Sequence, residues 1–206
     1  MYTPHAFEVT DRETILCAIE AWGFATLVSS GPHGLEASHL PLLLDREGNR
    51  LLGHMARANP QRDALDGAAE ALAIFHGPHA YVSPSWYARA PAVPTWNYGA
   101  VHVRGRPRAL VEDGAVSALL DRMVERHESA RTAPWRGELP DDFRRGMEKG
   151  IVAFEMPIER VEAKFKLGQN RSPEDQQGTL AGLEAEGDAG SAALAAFTRQ
   201  QLDEGR

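Results

Sequence analysis

The chain has 206 residues, 43% of them hydrophobic, with one cysteine and a formal net charge of −7. The lone Cys17 excludes an internal disulfide or a thiolate metal cluster, and the acidic balance argues against a basic face for nucleic acid. The length predicts one main domain. The sequence has no apolar run long enough to span a membrane and does not start with the basic and then apolar residues of a signal peptide. It therefore predicts a soluble, cytoplasmic protein with no membrane partner.

The first predicted elements are a helix, a hairpin and a third strand. Residues 11–22 space their apolar side chains at helical intervals behind Thr10, which we expect to cap the helix. Two strands, 23–30 and 35–45, flank the turn GPHG, which is typical of a hairpin. A third strand follows at 50–55.

The middle of the chain alternates short elements. Asn59 and Pro60 are typical of an N-cap and a first helical position, so a short helix is expected there. A strand is predicted at 71–77, a long strand at 97–111 and an amphipathic helix at 115–128.

The last part predicts two strands within 151–168 that meet at Met156, and a polar, alanine-rich helical tail from Ser172. We therefore divide the chain into a barrel domain, 1–175, and a C-terminal helical tail, 176–206.

About six strands with helices interposed predict a mainly β (α+β) fold, a small antiparallel barrel with peripheral helices. Because such barrels have filled interiors, a ligand is expected on the outer wall or between subunits.

The segment 81–108, YVSPSWYARAPAVPTWNYGAVHVRGRPR, holds two of the four tryptophans and four of the thirteen prolines. That many prolines exclude a core strand, and that many aromatic residues exclude a disordered linker. The segment is therefore expected to be an ordered loop that leads into a strand and faces a partner subunit or a flat ligand.

An anion site is predicted ahead of the short helix. Arg57 and Asn59 precede its N-terminus, where free backbone N–H groups favour an anion, and Ser38 and His39 project from a neighbouring strand. The alternative, given equal weight, is that Asn59 only caps the helix and Arg57 is a solvated charge.

The remaining chemistry-bearing residues form no familiar motif. The eight histidines show no metal-binding spacing. We therefore expect them to be ordinary residues of strands and loops, and no metal is predicted. The serines lie in no nucleophile elbow, and the glycines form no dinucleotide or phosphate loop.

Five motifs in order carry a family resemblance: HLPLLLD, GHMARANPQ, YVSPSWY, VPTWNY-x-AVHV-x-G and K-x-x-QNR-x-x-ED. Together they resemble the PaiB family of FMN-binding split-barrel proteins, known as negative transcriptional regulators, over about residues 1–175. The resemblance implies a six-stranded antiparallel split β-barrel, a homodimer, and FMN held in clefts at the dimer interface. Trp86 and Trp96 would then line the flavin cleft, or serve only in subunit packing.

The resemblance also assigns residues to FMN. Arg57 and Asn59 match the residues that grip the FMN phosphate, and the backbone from Ser38 to Leu40 matches the strand along the flavin. The stretch 96–98 matches the motif expected to approach from the second subunit, and the residues from Lys166 to Arg171 match the late motif at the same cleft. One departure is Gly168, which replaces the serine usual in this motif and so removes a hydroxyl contact. The residues implied are Ser38, His39, Leu40, Arg57, Asn59, Trp96, Asn97, Tyr98, Lys166, Gln169 and Asn170, with Arg171 beside them.

Three functions stay open at this point. The first is an FMN-binding, PaiB-like regulator or sensor; the second is a flavin-dependent oxidoreductase related to pyridoxamine phosphate oxidases or flavin reductases. The third is a haem-binding protein that uses His76, His79 or His102. DNA has weak support as a partner, because the net charge is −7 and no helix-turn-helix is evident.

Overall fold

The computed structural model describes residues 1–31, 34–112 and 114–204. These residues form ten strands and five α-helices, which confirms the prediction of a mainly β chain with peripheral helices. The strands are β1 (Glu8–Val9), β2 (Phe24–Gly31), β3 (Gly34–Pro41), β4 (Leu43–Asp45), β5 (Arg50–Ala56), β6 (Ala71–Val82), β7 (Thr95–Gly105), β8 (Arg108–Ala109), β9 (Ile151–Pro157) and β10 (Arg160–Lys166). The helices are α1 (Arg12–Ala21), α2 (Ala115–Glu128), α3 (Asp141–Glu148), α4 (Pro173–Glu186) and α5 (Ala189–Glu204).

The chain forms two compact units, each assembled from separate stretches of sequence. The first unit contains Met1–Ala18, His76–His102 and Glu162–Arg206, and the second contains Ile19–Phe75 and Val103–Val161. Within the first unit the neighbouring strands run in the order β1, β10, β7, β6. Within the second unit, β6, β2 and β3 are neighbours, and β4, β5, β9 and β8 form a separate sheet. The predicted boundary at residue 175 stays a prediction.

The predicted hairpin is present as β2 and β3. The two strands pair antiparallel from Phe24 opposite Pro41 to Gly31 opposite Gly34. The two central residues of the GPHG turn, at positions 32 and 33, lie outside the described residues.

The predicted strand 35–45 is in fact two strands. β3 ends at Pro41 and β4 begins at Leu43 in the other sheet, while the Leu42 amide donates to the Gly23 carbonyl at 2.8 Å. Pro41 has no N–H to continue the ladder, so the chain can leave the first sheet here.

Two helix starts differ from the expectation. The side chain of Asp11, not Thr10, caps α1 by accepting from the Thr14 amide at 2.8 Å. The short helix after Asn59 is one 3-10 turn, Pro60–Ala64. Helix α3 was not predicted at all, because its eight residues are too short to show a clear period.

Strand β6 is longer than predicted and runs through Pro78. Its pairing with β2 ends at Phe75, so the missing proline N–H removes no hydrogen bond to β2. The residues up to Val82 therefore belong to a strand rather than to the aromatic loop.

Each unit has its own buried apolar core. In the second unit, Leu51 and Met55 of β5 are buried with Phe154 and Met156 of β9, whose strands are paired over their whole length. In the first unit, the ring of Phe165 meets Phe197 of α5 edge to face, with centroids 5.0 Å apart. Among the described helices none is long and apolar enough to cross a membrane.

One buried carboxylate lies in the second unit. Glu155 is 3% exposed and accepts hydrogen bonds from Arg50 Nη1 and Arg108 Nε. Burial raises the pKa of Glu155, but the hydrogen bonds and charges of Arg108 and Arg50 outweigh it, so the pKa lies below the ordinary 4.5.

We expect Glu155→Gln to lower the free energy of unfolding at pH 7 by about 1 to 2 kcal/mol, because both arginines are partly exposed. Because the pKa of Glu155 is lower in the folded state, the stability that its ionised form contributes is fully present above the unfolded pKa. This contribution is lost as the pH falls through the folded pKa. Urea unfolding should therefore show wild type and variant converging below about pH 4. Glu159→Gln, which affects an exposed pair with Arg106, is the control; an equal gap at pH 7 and pH 3 would contradict the assignment.

Candidate functional site

In the second unit, Asn59 joins strand β3 to the 3-10 turn. Its side-chain oxygen accepts from the Gln61 amide at 3.0 Å, and its Nδ2 donates to Ser38 Oγ at 2.8 Å. The structure thus brings together two residues that the sequence placed at one anion site, and it also shows the N-cap that was the alternative.

Arg57 lies beside this pair and is held by backbone carbonyls. Its Nε donates to the Lys149 oxygen and its Nη2 to the Ile151 oxygen, both at 2.8 Å. The side chain is exposed. Because the expected helix is a single 3-10 turn, the dipole that was expected to favour an anion here is small.

Gln61 is the last residue of the motif GHMARANPQ, and the sequence predicts no role for it. It is 1% exposed, and its Nε2 donates to the Leu27 carbonyl and to Ser29 Oγ, both at 3.0 Å. Its Oε1 is buried without a partner in the described residues. Gln61 therefore attaches the 3-10 helix to β2 through side-chain contacts that no local sequence pattern indicates.

His39 and Leu40 lie on β3 next to Ser38. The Nδ1 atom of His39 is 3.0 Å from Thr26 Oγ1, and the ring stacks on Phe24 with centroids 6.5 Å apart. Leu40 is half-buried.

In the first unit, Trp96 is the exposed centre of an aromatic group. It is 55% exposed, and its ring lies 6.3 Å from Tyr81 and 6.4 Å from His79, between centroids. Asn97 on the same strand is 3% exposed. This group has the flat apolar surface that the segment 81–108 predicted.

Trp86 has a different environment, because it packs on helix α4. A Cβ at Gly182 would lie 2.2 Å from the Trp86 ring, and one at Gly178 would lie 2.0 Å from its carbonyl oxygen. The Ala88 amide donates to the buried Asp175 carboxylate at 2.8 Å. Helix α4 therefore anchors the aromatic loop, and packing within the chain accounts for Trp86.

Strand β10 carries two lysines beside this aromatic group. Lys164 is 8% exposed; its Nζ is 3.4 Å from the Tyr2 carbonyl and 5.2 Å from the centroid of the Tyr98 ring. Lys166 donates to Thr95 Oγ1 and to the Trp96 carbonyl.

These lysines form a cation cluster with Arg171, whose guanidinium lies 4.5 Å from the centroid of the Tyr87 ring. No carboxylate of the described residues pairs with any of the three. Burial lowers the pKa of Lys166, and the charges of Lys164 and Arg171 lower it further. A half-buried group of like charges is costly unless an anion binds to it.

The turn after β10 is closed by its own side chains. Gln169 Oε1 accepts from the Leu167 amide at 2.8 Å, and its Nε2 donates to the Phe165 carbonyl. Asn170 is exposed. Gly168 has a φ of 85°, a left-handed conformation that costs a serine energy, which explains the departure from the motif.

In the part of the chain that the structure describes, no group of three histidine, cysteine or acidic side chains could hold a metal ion. A haem needs only one or two axial ligands, so ligation of haem iron by His76, His79 or His102 stays a prediction. The Nδ1 atom of His79 is 3.2 Å from the Gly77 carbonyl.

Residues 1–160 match the family model described as "Putative FMN-binding domain". The chain is 34% identical over 206 residues to "Protease synthase and sporulation protein PAI 2" of Bacillus subtilis, covering 98% of each chain. It is 30% identical over 218 residues to an uncharacterised protein of Aspergillus fumigatus, covering 82% of this chain and 84% of the relative.

Solved structures share the fold at low identity. The flavocytochrome Anf3 of Azotobacter vinelandii matches with a TM-score of 0.66 and 16% identity, over 84% of this chain and 76% of that one. The FAD and haem binding protein of Mycobacterium smegmatis matches with a TM-score of 0.62 and 18% identity, over 88% of this chain and 80% of that one. These likenesses confirm the split-barrel fold.

Proposed function

The chain belongs to the PaiB family of FMN-binding split-barrel proteins, and we propose that it works as an FMN-binding homodimer that regulates or senses through its flavin. The observation that carries the flavin site is the cation cluster of Lys164, Lys166 and Arg171 beside exposed Trp96. FMN suits this surface because it combines negative charge, which the cations can bind, with a flat ring that can lie against Trp96. FMN itself supplies the electron or hydride chemistry, and the chain supplies binding and charge.

Two groups of residues are proposed to hold FMN. Ser38, Arg57 and Asn59, with the backbone through His39 and Leu40, are proposed for the phosphate and the flavin edge. The second group is proposed to approach from the partner subunit and to bind the ring and a negative charge: Trp96, Asn97, Tyr98, Lys164, Lys166, Gln169 and Asn170. The test is a titration of the flavin-free protein with FMN and with riboflavin, followed by absorption and flavin fluorescence. FMN should bind more tightly, and equal affinities would contradict both assignments.

We propose a homodimer because each unit exposes apolar side chains on an ordered surface. In the second unit, Phe24 is 67% and Leu35 81% exposed on β2 and β3; in the first unit, Trp96 is 55% and Val93 67% exposed. Exposed apolar groups of this size are typical of protein interfaces.

Light scattering at micromolar concentration should give twice the chain mass of 22.5 kDa. Leu35→Glu should increase the monomer fraction, because a charge would be buried at the interface. Val111→Glu is the matched control, since Val111 is 85% exposed and lies outside these strands. A wild-type monomer, or an equal effect of both variants, would contradict the dimer surface.

The sequence RGRPR, the most arginine-dense stretch of the chain, has each of its three arginines beside a glutamate. Arg104 binds Glu70 at 3.0 Å, Arg106 binds Glu159 at 2.6 Å, and Arg108 binds Glu155 through its Nε. These pairs partly neutralise the charge that the stretch would present to operator DNA, so we keep a flavin-dependent oxidoreductase as the second proposed function. Oxidation of NAD(P)H by the FMN-loaded protein would support it, whereas nanomolar operator binding at about 0.15 M salt would support the regulator instead. The cytoplasmic location stays a prediction.

A further inference from the structure

A cavity of about 390 Å³ lies in the second unit, away from every residue proposed for FMN. It is lined by residues of β5, β8, β9 and helix α2 together with Leu110 and Glu112. Its volume is within the range of small-molecule sites.

Three arginines are concentrated at this cavity of an acidic chain. Arg50, Arg108 and Arg122 line it together with Glu112 and Glu155, and Asp45 binds Arg50 from beside it. The charges therefore balance, and what the cavity offers an anion is the set of guanidinium donors that these carboxylates leave unused.

Two of these arginines are held in place by carboxylates, of which Glu155 is buried. Arg50 donates to Asp45 at 2.8 Å and to Glu155, and Arg108 donates its Nε to the other oxygen of Glu155. Because Glu155 is buried, it positions both guanidinium groups before any ligand arrives.

The arginines keep donors for a ligand. Among the described residues, Arg108 uses only its Nε, and its side chain is 64% exposed. Arg122 is 45% exposed, and its Nη2 lies 3.8 Å from Asp45 Oδ1, which is too long for a hydrogen bond. The terminal nitrogens of Arg108 and several donors of Arg122 are therefore available for an oxyanion.

Part of the cavity lining is apolar. Leu52 and Leu119 belong to a buried cluster with Met123 and Ala153, while Leu110, Ala115 and Ala118 keep apolar surface exposed in the cavity. A ligand with an apolar body would remove this surface from water on binding.

We propose that this cavity is a second ligand site, which takes a small organic anion with one carboxylate or phosphate group on an apolar body. The oxyanion is bound by Arg108 and Arg122, whose planar groups suit carboxylate and phosphate. The body lies against Leu110, Ala115 and Ala118. The site does not depend on the flavin site.

The probes are phenyl phosphate, benzoate and inorganic phosphate, measured by calorimetry on FMN-saturated and on flavin-free protein. Phenyl phosphate or benzoate should bind about tenfold or more tightly than inorganic phosphate, because only they fill the apolar wall. Arg108→Gln and Arg122→Gln should each weaken this binding by about tenfold. Arg106→Gln is the matched control, because Arg106 pairs with Glu159 at 2.6 Å and does not line this cavity.

Absence of saturable binding of both organic probes, displacement of FMN by either probe, or an equal loss in all three variants would overturn the proposal. A loss in only one of Arg108→Gln and Arg122→Gln, with Arg106→Gln unchanged, supports the site with that arginine as the ligand. The probes are also titrated into flavin-free protein. The second ligand site is therefore tested even if the protein does not bind FMN.

Discussion

Lys166→Gln and Lys164→Gln are each expected to weaken FMN binding by about 1.5 to 3 kcal/mol, the range for a hydrogen bond to a charged group. Lys164 is 8% exposed and has a 3.4 Å contact to a carbonyl but no carboxylate partner among the described residues. The amide of glutamine keeps much of the side-chain volume and removes the charge. The measurement is an FMN titration of each purified variant, followed by flavin fluorescence.

The chain contains only three lysines, and the third supplies the control. Lys149→Gln makes the same change of charge at an exposed position outside β10 and should leave the FMN affinity unchanged. Lys166→Arg should recover part of the loss, because it restores the positive charge. If all three glutamine variants bind FMN equally, the lysines of β10 are not part of the flavin site.

Riboflavin separates the roles of the two proposed groups of residues. A variant that loses the preference for FMN over riboflavin has lost a phosphate contact, whereas a variant that weakens both ligands equally has lost a ring contact. Arg57→Ala is compared in the same series. The Arg57 side chain also donates to the carbonyls of Lys149 and Ile151. The free energy of unfolding of the Arg57→Ala variant is therefore measured together with its affinity for FMN.

Gly182→Ala is expected to lower the free energy of unfolding by about 1 to 3 kcal/mol, the cost of an overpacked contact. The added Cβ would lie 2.2 Å from Trp86 Cδ2 and 2.6 Å from two further ring atoms, so the ring or the helix has to move. Gly178→Ala should cost at least as much, because its Cβ would meet the Trp86 carbonyl oxygen at 2.0 Å, and backbone moves less easily. Urea unfolding followed by tryptophan fluorescence measures both changes.

Gly146→Ala in helix α3 is the control. A Cβ there meets nothing within 4 Å, so alanine should stabilise the chain by about 0.4 to 1 kcal/mol through its lower unfolded-state entropy. The double variant Trp86→Ala/Gly182→Ala makes the test specific. Without the Trp86 ring, Gly182→Ala should cost less free energy of unfolding, because the effects of substitutions at contacting residues do not add. Additive effects would show that the cost of Gly182→Ala does not come from its contact with Trp86.

The amino-acid sequence by itself determined the elements whose signal is local. The period of residues 115–128 predicted helix α2 with the bounds that the structure has, and alternation around a glycine turn predicted the β2–β3 hairpin. Five short motifs in order were also enough for the family, and the family model confirms FMN as its ligand. Such signals depend on neighbours a few residues apart, which a pattern can show.

The tertiary structure decided which distant residues meet. Trp86 packs on glycines about ninety positions later in the chain, and each arginine of RGRPR pairs with a distant glutamate. The break of the predicted strand 35–45 at Leu42 and the burial of Gln61 also depend on partners from other strands. No spacing in the sequence records these pairs, because burial and hydrogen bonding depend on how the segments of each unit pack together.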